Sequence, residues 1–222
     1  MKKVTIAIDG PAAAGKSTVA KKVAQFLGFT YIDTGAMYRA FTYCVMKKGL
    51  DPKDEKASIS LIPEVDIELL SDGRVICCGE DVTKVIREPH ISANVSYIAS
   101  YKDIRLALVE LQRKMANRRS VVMDGRDIGT YVLPDADVKI FQIADVPTRS
   151  VRRYEENLSK GIQCTLAEVE EDVRRRDYID SHRDFAPLKP APDSVLLDTS
   201  FLSIEEAVEA VLNIIKRKIG EA

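Results

Sequence analysis

The apolar positions change period along the chain, and each change marks an element. Val4-Thr5-Ile6-Ala7-Ile8 is a short apolar run that stops at Asp9, the pattern of a strand buried on both faces. Beyond a loop at 10–15, Val19, Ala20, Val23, Ala24 and Leu27 recur at helical spacing, and Gly28 supplies a C-terminal cap. Residues 29–32 then read as a second strand ending at Asp33. Strand, helix, strand in that order predicts a parallel sheet with helices on both faces.

Between 63 and 79 the alternation breaks. Val65, Ile67 and Leu69 keep period two, Ser71-Asp72-Gly73 supplies a turn, and Val75-Ile76-Cys77-Cys78 answers it. This predicts an antiparallel hairpin inserted beside the main sheet, with the two adjacent cysteines on opposite faces of their strand. Helical spacing returns over 104–118 through Leu108, Leu111 and Met115. Residues 121–123 form a strand ending at Asp124, and 138–143 another. Residues 147–160 read as a charged helix closed by Gly161. Thr165-Leu166-Ala167-Glu168 is a capping box that opens a second charged helix to Tyr178. After a proline-rich loop at 187–192, residues 195–197 form a last core strand ending at Asp198. Ser203-Ile204-Glu205-Glu206 caps a final helix to about Ile219. No internal repeat interrupts this order, and one core with two mobile lobes fits it better than two independent domains.

Composition narrows the function classes. The 222 residues are 45 % hydrophobic, which suits a full globular core. Lys plus Arg number 33 against 34 Asp plus Glu, so the chain lacks the broad positive field of a nucleic-acid coat protein. Cys44, Cys77, Cys78 and Cys164 form no C-x-x-C pair, and His90 and His182 are the only histidines. That leaves no zinc set in the sequence and favours reduced, idle thiols in a cytoplasmic protein. The opening apolar run is too short for a signal peptide and no segment is long enough to span a membrane. Without a heptad or an exposed apolar stripe, a monomer is expected.

The sharpest motif is Gly10-Pro11-Ala12-Ala13-Ala14-Gly15-Lys16-Ser17, a G-x-x-x-x-G-K-[ST] phosphate loop between a strand and a helix. Glycines let the backbone N–H groups turn inward on an anion, and the helix N-terminus adds favourable potential. With Thr18, these residues form the candidate ATP site. Lys16 reaches the β- and γ-phosphates, and the Ser17 hydroxyl is a ligand for Mg²⁺. Asp124, just past an apolar strand, is a second candidate metal ligand; the alternative is that it orders its loop or contacts Arg126. A switch GTPase is disfavoured, because no Asn is followed by Lys and no Gly has Asp three positions before it. A motor ATPase would need more chain. Arg149, Arg152, Arg153, Arg174, Arg175, Arg176 and Arg183 cluster late in the sequence. Most such charge is a solvated face, but guanidinium suits phosphate oxygens, and a helical hairpin hinged at Gly161 is what a closing lid would look like.

Further motifs make the resemblance specific. Asp33-Thr34-Gly35-Ala36-Met37-Tyr38-Arg39, Asp124-Gly125-Arg126-Asp127-Ile128-Gly129-Thr130, and Arg176-Asp177 with Asp180, Arg183 and Ala186-Pro187-Leu188 together resemble the bacterial cytidylate kinase family, as does the hairpin around Gly73. The resemblance covers essentially the whole chain. It implies an α/β, three-layer P-loop fold with a five-stranded parallel core, at about 1–33, 104–146 and 193–222. It also implies a nucleoside-monophosphate lobe at about 34–103, carrying the antiparallel insertion, and a helical lid at about 147–192. ATP with Mg²⁺ would be the donor, and CMP or dCMP the acceptor. By the same resemblance Thr34, Tyr38 and Arg39 line the acceptor site, and Arg39, Arg126 and Arg183 hold its phosphate. Ser96, Arg105 and Asp127 face the cytosine, Arg176 and Asp180 the sugar, and Arg149, Arg152 and Arg153 belong to the lid. The family often has Ser where Thr34 stands; the hydroxyl is kept.

Base chemistry supports this independently. A carboxylate accepts from the exocyclic amine of cytosine, and uracil would turn a carbonyl toward it. A plainer alternative has Asp127 position Arg126, and Ser96 serve only as a small helix residue. Rival readings are a UMP/CMP enzyme, a shikimate-type kinase, or a non-catalytic nucleotide-binding protein.

Overall fold

In the computed structural model, residues 3–70 and 72–220 are described. Ser71 of the expected turn and the outermost residues of the expected core (Met1, Lys2, Glu221, Ala222) lie outside them. The apolar run forms β1 (Thr5–Asp9), and the phosphate loop leads into α1 (Lys16–Leu27), which ends at Gly28 in the left-handed region with φ 66°. β2 (Thr30–Asp33) runs directly into α2 (Thr34–Lys47), whose N-cap carboxylate, Asp33, accepts from the Ala36 N–H at 2.7 Å. A short α3 (Glu55–Ser60) precedes β3 (Ile67–Leu69), β4 (Val75–Cys77) and β5 (Glu80–Asp81). α4 (Pro89–Ile98) and α5 (Lys102–Ala116) return the chain to β6 (Val121–Gly125). A π-turn at Ile128–Val132 leads to β7 (Val138–Ile143). The charged helices are α6 (Val146–Ser159) and α7 (Leu166–His182). β8 (Val195–Asp198) and α8 (Ile204–Ile219) close the fold. Both expected capping boxes form, at Thr165 and Ser203.

The main sheet is parallel throughout, in the order β2-β6-β1-β7-β8. Burial on both faces explains the near-unbroken apolar runs of β1, β6 and β7, whereas β8, expected as a core strand, lies at the sheet edge with Leu196 exposed. α1 and α8 cover one side through Val19, Val23, Val211 and Ile215. The other side carries Ile32, Val109, Val121 and Met123. Because β1 is central and the chain leaves it in both directions, a crevice opens at the C-terminal ends of the strands. Acids stand at those ends: Asp9, Asp33 and Asp124, the last two in register with each other.

The inserted sheet has the order β3-β4-β5 and packs on α2 through Phe41, Val45, Ile67 and Val75. Its third strand is not foreseen from the sequence, since both its residues are exposed and leave no period-two signal. The expectation that Cys77 and Cys78 face opposite ways is wrong. Cys78 lies beyond β4 with φ +50°, followed by Gly79 at +80°. Strand alternation stops at Cys77, and the left-handed turn swings Cys78 back to the same side.

One backbone contact sets a strict demand. A Cβ on Gly10 would stand 1.9 Å from the Gln142 carbonyl oxygen, at φ +150°. Gly10→Ala must push the phosphate loop away from β7, so it is expected to cost about 3 kcal/mol of unfolding free energy. Urea denaturation measures this, and a loss below about 0.5 kcal/mol would show that the approach is not constrained.

Candidate active site

A single cleft of 770 Å³ runs along the strand ends, between the phosphate loop, α2, α4 and the α6–α7 pair. That volume lies within the roughly 300–1,000 Å³ of ligand-binding pockets. Ala13, Ala14, Gly15, Lys16, Ser17 and Thr18 line one half. Gly10, Pro11 and Ala12 form the back of the loop and are not among the lining residues. Lys16 is 4 % exposed, and its ammonium donates to the Pro11 carbonyl at 2.7 Å. Burial, with Arg126 nearby, holds that ammonium well below its usual range. The negative charge of an arriving polyphosphate would oppose both causes and favour the ammonium.

Ser17 and Asp124 meet as the sequence suggests, with the Ser17 hydroxyl donating to Asp124 Oδ2 at 2.7 Å. The other carboxylate oxygen accepts from the Tyr31 hydroxyl at 2.8 Å. Thr34 donates to the Asp124 carbonyl at 2.7 Å. The Ser17–Asp124 separation is close to the roughly 3 Å edge of an oxygen octahedron built on Mg–O bonds of about 2.0–2.1 Å. Two hard oxygen donors beside the loop therefore fit Mg²⁺.

The other half of the cleft gathers the remaining expected residues. Asp127, 4 % exposed, accepts from Arg105 Nη2 and, at 3.4 Å, from Arg183 Nη2. Arg105 also donates to the Ala99 carbonyl at 2.9 Å and lies over the Tyr38 ring, 5.2 Å from its centroid. Ser96 is buried in the same wall. Arg126 Nε donates to Asp180 at 2.8 Å. Arg39 pairs with Asp33 at 3.1 Å. Arg176 is buried, and its Nε has no partner among the described residues. Burial, then Arg126 and Arg153, push it down to about 10. Arg39 Nε and Arg105 Nε are likewise buried without a partner. Cations outnumber carboxylates along the cleft, so the pocket is a poor solvent for itself and a good one for a polyanion.

Two arginines stand apart from their expected places. Arg149, 4 % exposed, sits behind the phosphate loop rather than in the cleft. It donates to the carbonyls of Ala12 at 3.0 Å and Ala144 at 2.8 Å, and pairs with Asp177 at 2.6 Å. Arg152 and Arg153 do line the cleft, although Arg152 is tied to the Thr199 carbonyl at 2.7 Å. Arg183 turns its fork toward Asp127 and the Ala186 carbonyl rather than joining Arg39 and Arg126.

Sequence reasoning passed over four neighbours. Arg87 reaches Asp33 at 3.2 Å from 54 residues away, a distance that carries no local signal. Gln142 donates to the Ala14 carbonyl at 2.7 Å; nothing in a buried strand marks it. Tyr31 anchors Asp124 as above. Asp9 was visible only as the acid ending β1. Its carboxylate accepts the N–H groups of Ile128 at 2.8 Å and Gly129 at 2.7 Å, fixing the turn just after Asp127.

Burial pushes Asp9 up to about 7, outweighing its two N–H bonds, and Asp127 adds to the rise. The folded value exceeds the ordinary 3.8, so the folded chain binds more protons between about pH 4 and 7. The contribution of Asp9 to stability therefore falls as pH rises through that window, by up to about 1.4 kcal/mol per pH unit. Asp9→Asn removes this term. The stability of the parent minus that of the variant should therefore decline from pH 4 to 7, and a difference that stays flat would contradict the raised value.

Residues 6–217 match the family model described as cytidylate kinase. The chain is 50 % identical over 214 residues to the cytidylate kinase of Oceanobacillus iheyensis, covering 95 % of this chain and 93 % of that one. It is 48 % identical over 221 residues to the cytidylate kinase of Anoxybacillus flavithermus, covering 98 % of each. Among solved structures, the shikimate kinase of Acinetobacter baumannii superposes with a TM-score of 0.50 at 14 % identity, covering 99 % of this chain and 97 % of that one. A gluconokinase from Sinorhizobium meliloti gives 0.51 at 12 %, covering 97 % and 93 %. These two speak for the P-loop kinase fold alone.

Proposed function

The chain belongs to the cytidylate kinase family, and from that premise we propose how its cleft carries out the reaction. It transfers the γ-phosphoryl group of ATP to CMP or dCMP, giving ADP and CDP or dCDP. The acceptor phosphate oxygen is itself the nucleophile, attacking in line. The protein's task is to hold two anions together and neutralise their repulsion. The phosphate-loop N–H groups and Lys16 take the β- and γ-phosphates. Ser17 and Asp124 would hold Mg²⁺, which would supply charge screening for the phosphates. Arg39 and Arg126 grip the acceptor phosphate, with Arg183 reaching in from the base side. Arg176 and Asp180 hold the sugar, and Ser96, Arg105 and Asp127 read the base. Arg152 and Arg153 bring charge from α6 when the lid at about 147–192 closes over the core and the acceptor lobe at about 34–103. Arg149 acts from behind, fixing the loop backbone through Ala12. We read the chain as a cytoplasmic monomer acting on these two nucleotides.

The observation that carries the assignment is the buried Asp127 carboxylate, held by Arg105, opening into the same cleft as Lys16. It accepts from the cytosine amine and opposes the uracil carbonyl, a discrimination of about 10⁴ for sites built on such a bond. ADP release with ATP and Mg²⁺, with CMP, dCMP, UMP, AMP, GMP and shikimate supplied in turn, tests it. Turnover of CMP and dCMP far above UMP is expected; equal turnover of UMP would remove Asp127 as the reader.

A further inference from the structure

The fold brings together three cysteines that no sequence motif links. Cys44 is one of the buried residues of α2, Cys77 ends β4, and Cys78 follows in the turn. Their sulfurs lie within 4.8 Å of one another, with Cys44 and Cys77 only 2.8 Å apart. They face a separate cavity of 350 Å³, rimmed by Tyr43, Lys47, Lys48, Glu64 and Glu80. We propose that Cys44, Cys77 and Cys78 form a site for one thiophilic divalent cation of the zinc type, distinct from the nucleotide cleft.

Three features carry this. First, the three sulfurs lie in the range of one ion: thiolates about 2.3 Å from a tetrahedral Zn²⁺ stand about 3.8 Å apart, between the 2.8 Å Cys44–Cys77 contact, which must open, and the 4.8 Å limit of the set. Second, the third sulfur is present only because Cys78 occupies the left-handed region at φ +50°, which a side chain with a Cβ enters at a cost. Third, the rim can complete the coordination. Glu80 and Glu64, paired with Lys47 and Lys48, line the same cavity, and either carboxylate, or solvent, can fill the fourth position. A bound ion would bolt α2, which also bears Tyr38 and Arg39, to the inserted sheet.

Co²⁺ added to the reduced full-length chain is the probe, because thiolate ligation gives a sulfur-to-cobalt charge-transfer band and tetrahedral geometry gives intense visible bands. We expect both to saturate at one equivalent, Zn²⁺ to bleach them, and Zn²⁺ to raise the unfolding midpoint. C78S, a surface change outside the nucleotide cleft, should bind at least tenfold more weakly and lose the thermal shift while keeping its kinase activity. C164S should behave like the parent. If C44S or C77S fails to fold, alkylation of the parent decides: Zn²⁺ must protect three thiols and leave Cys164 reactive. The proposal is overturned by the absence of a charge-transfer band, by equal binding in C78S, or by air oxidation to a Cys44–Cys77 disulfide at the same rate with and without Zn²⁺.

Discussion

Lys16→Met is expected to lower kcat by about 10³-fold or more while leaving the KM for CMP within a few-fold. Removing one preorganised donor from a developing charge typically costs 10²–10³, and here the group lost is a full cation in a water-poor pocket. Lys16 is buried and held at the loop by the Pro11 carbonyl, so methionine keeps most of the packing volume and the unfolding free energy should change little. In the proposed assignment the KM for CMP is insulated, because CMP is held by other residues: Arg39, Arg126 and the Asp127 pocket. Single-turnover quench-flow separates the chemical step from product release. A kcat within tenfold of the parent would mean that the arginines carry the transferring phosphoryl without Lys16.

Asp127→Asn should collapse base selectivity, lowering the ratio of kcat/KM for CMP over UMP by about 10²-fold or more. The amide presents an N–H₂ group to the uracil carbonyl that the carboxylate opposed, and its single acceptor is contested by Arg105 and Arg183. Those two guanidiniums also lose their shared counter-charge, and breaking a buried pair from one side costs about 3–5 kcal/mol. The variant should therefore be less stable as well as less selective. The ratio of two substrates on one preparation does not depend on the fraction folded, so it isolates the readout. An unchanged ratio would leave Asp127 as a strut for Arg105 and Arg183.

Much of this was legible because it is local. The phosphate loop, its flanking strand and helix, and both capping boxes are each specified within a few residues, and each forms where the spacing places it. The asparagine-free Asp72-Gly73 hairpin also falls where its period-two flanks put it, with Ile67 opposite Cys77. What stayed hidden depends on contacts distant in sequence or on single backbone angles. α2 was not delineated, since its apolar residues face both α4 and the inserted sheet and blur the helical stripe. The turn at Cys78 depends on one φ of +50°, invisible to a rule of strand alternation, and it alone separates idle thiols from a cluster. Arg149 and Arg152 sit three apart on the same helix, yet one faces the back of the loop and the other the cleft. Helical periodicity says that they share a side, not which neighbour each will meet.

The most direct test of the account is a crystal structure of the chain with CMP and a non-hydrolysable ATP analogue. The cytosine amine should lie within about 3.2 Å of an Asp127 carboxylate oxygen, with the CMP phosphate against Arg39 and Arg126 and pointing at the γ-phosphate beside Lys16. A base bound away from Asp127, or an acceptor phosphate turned from the loop, would contradict it.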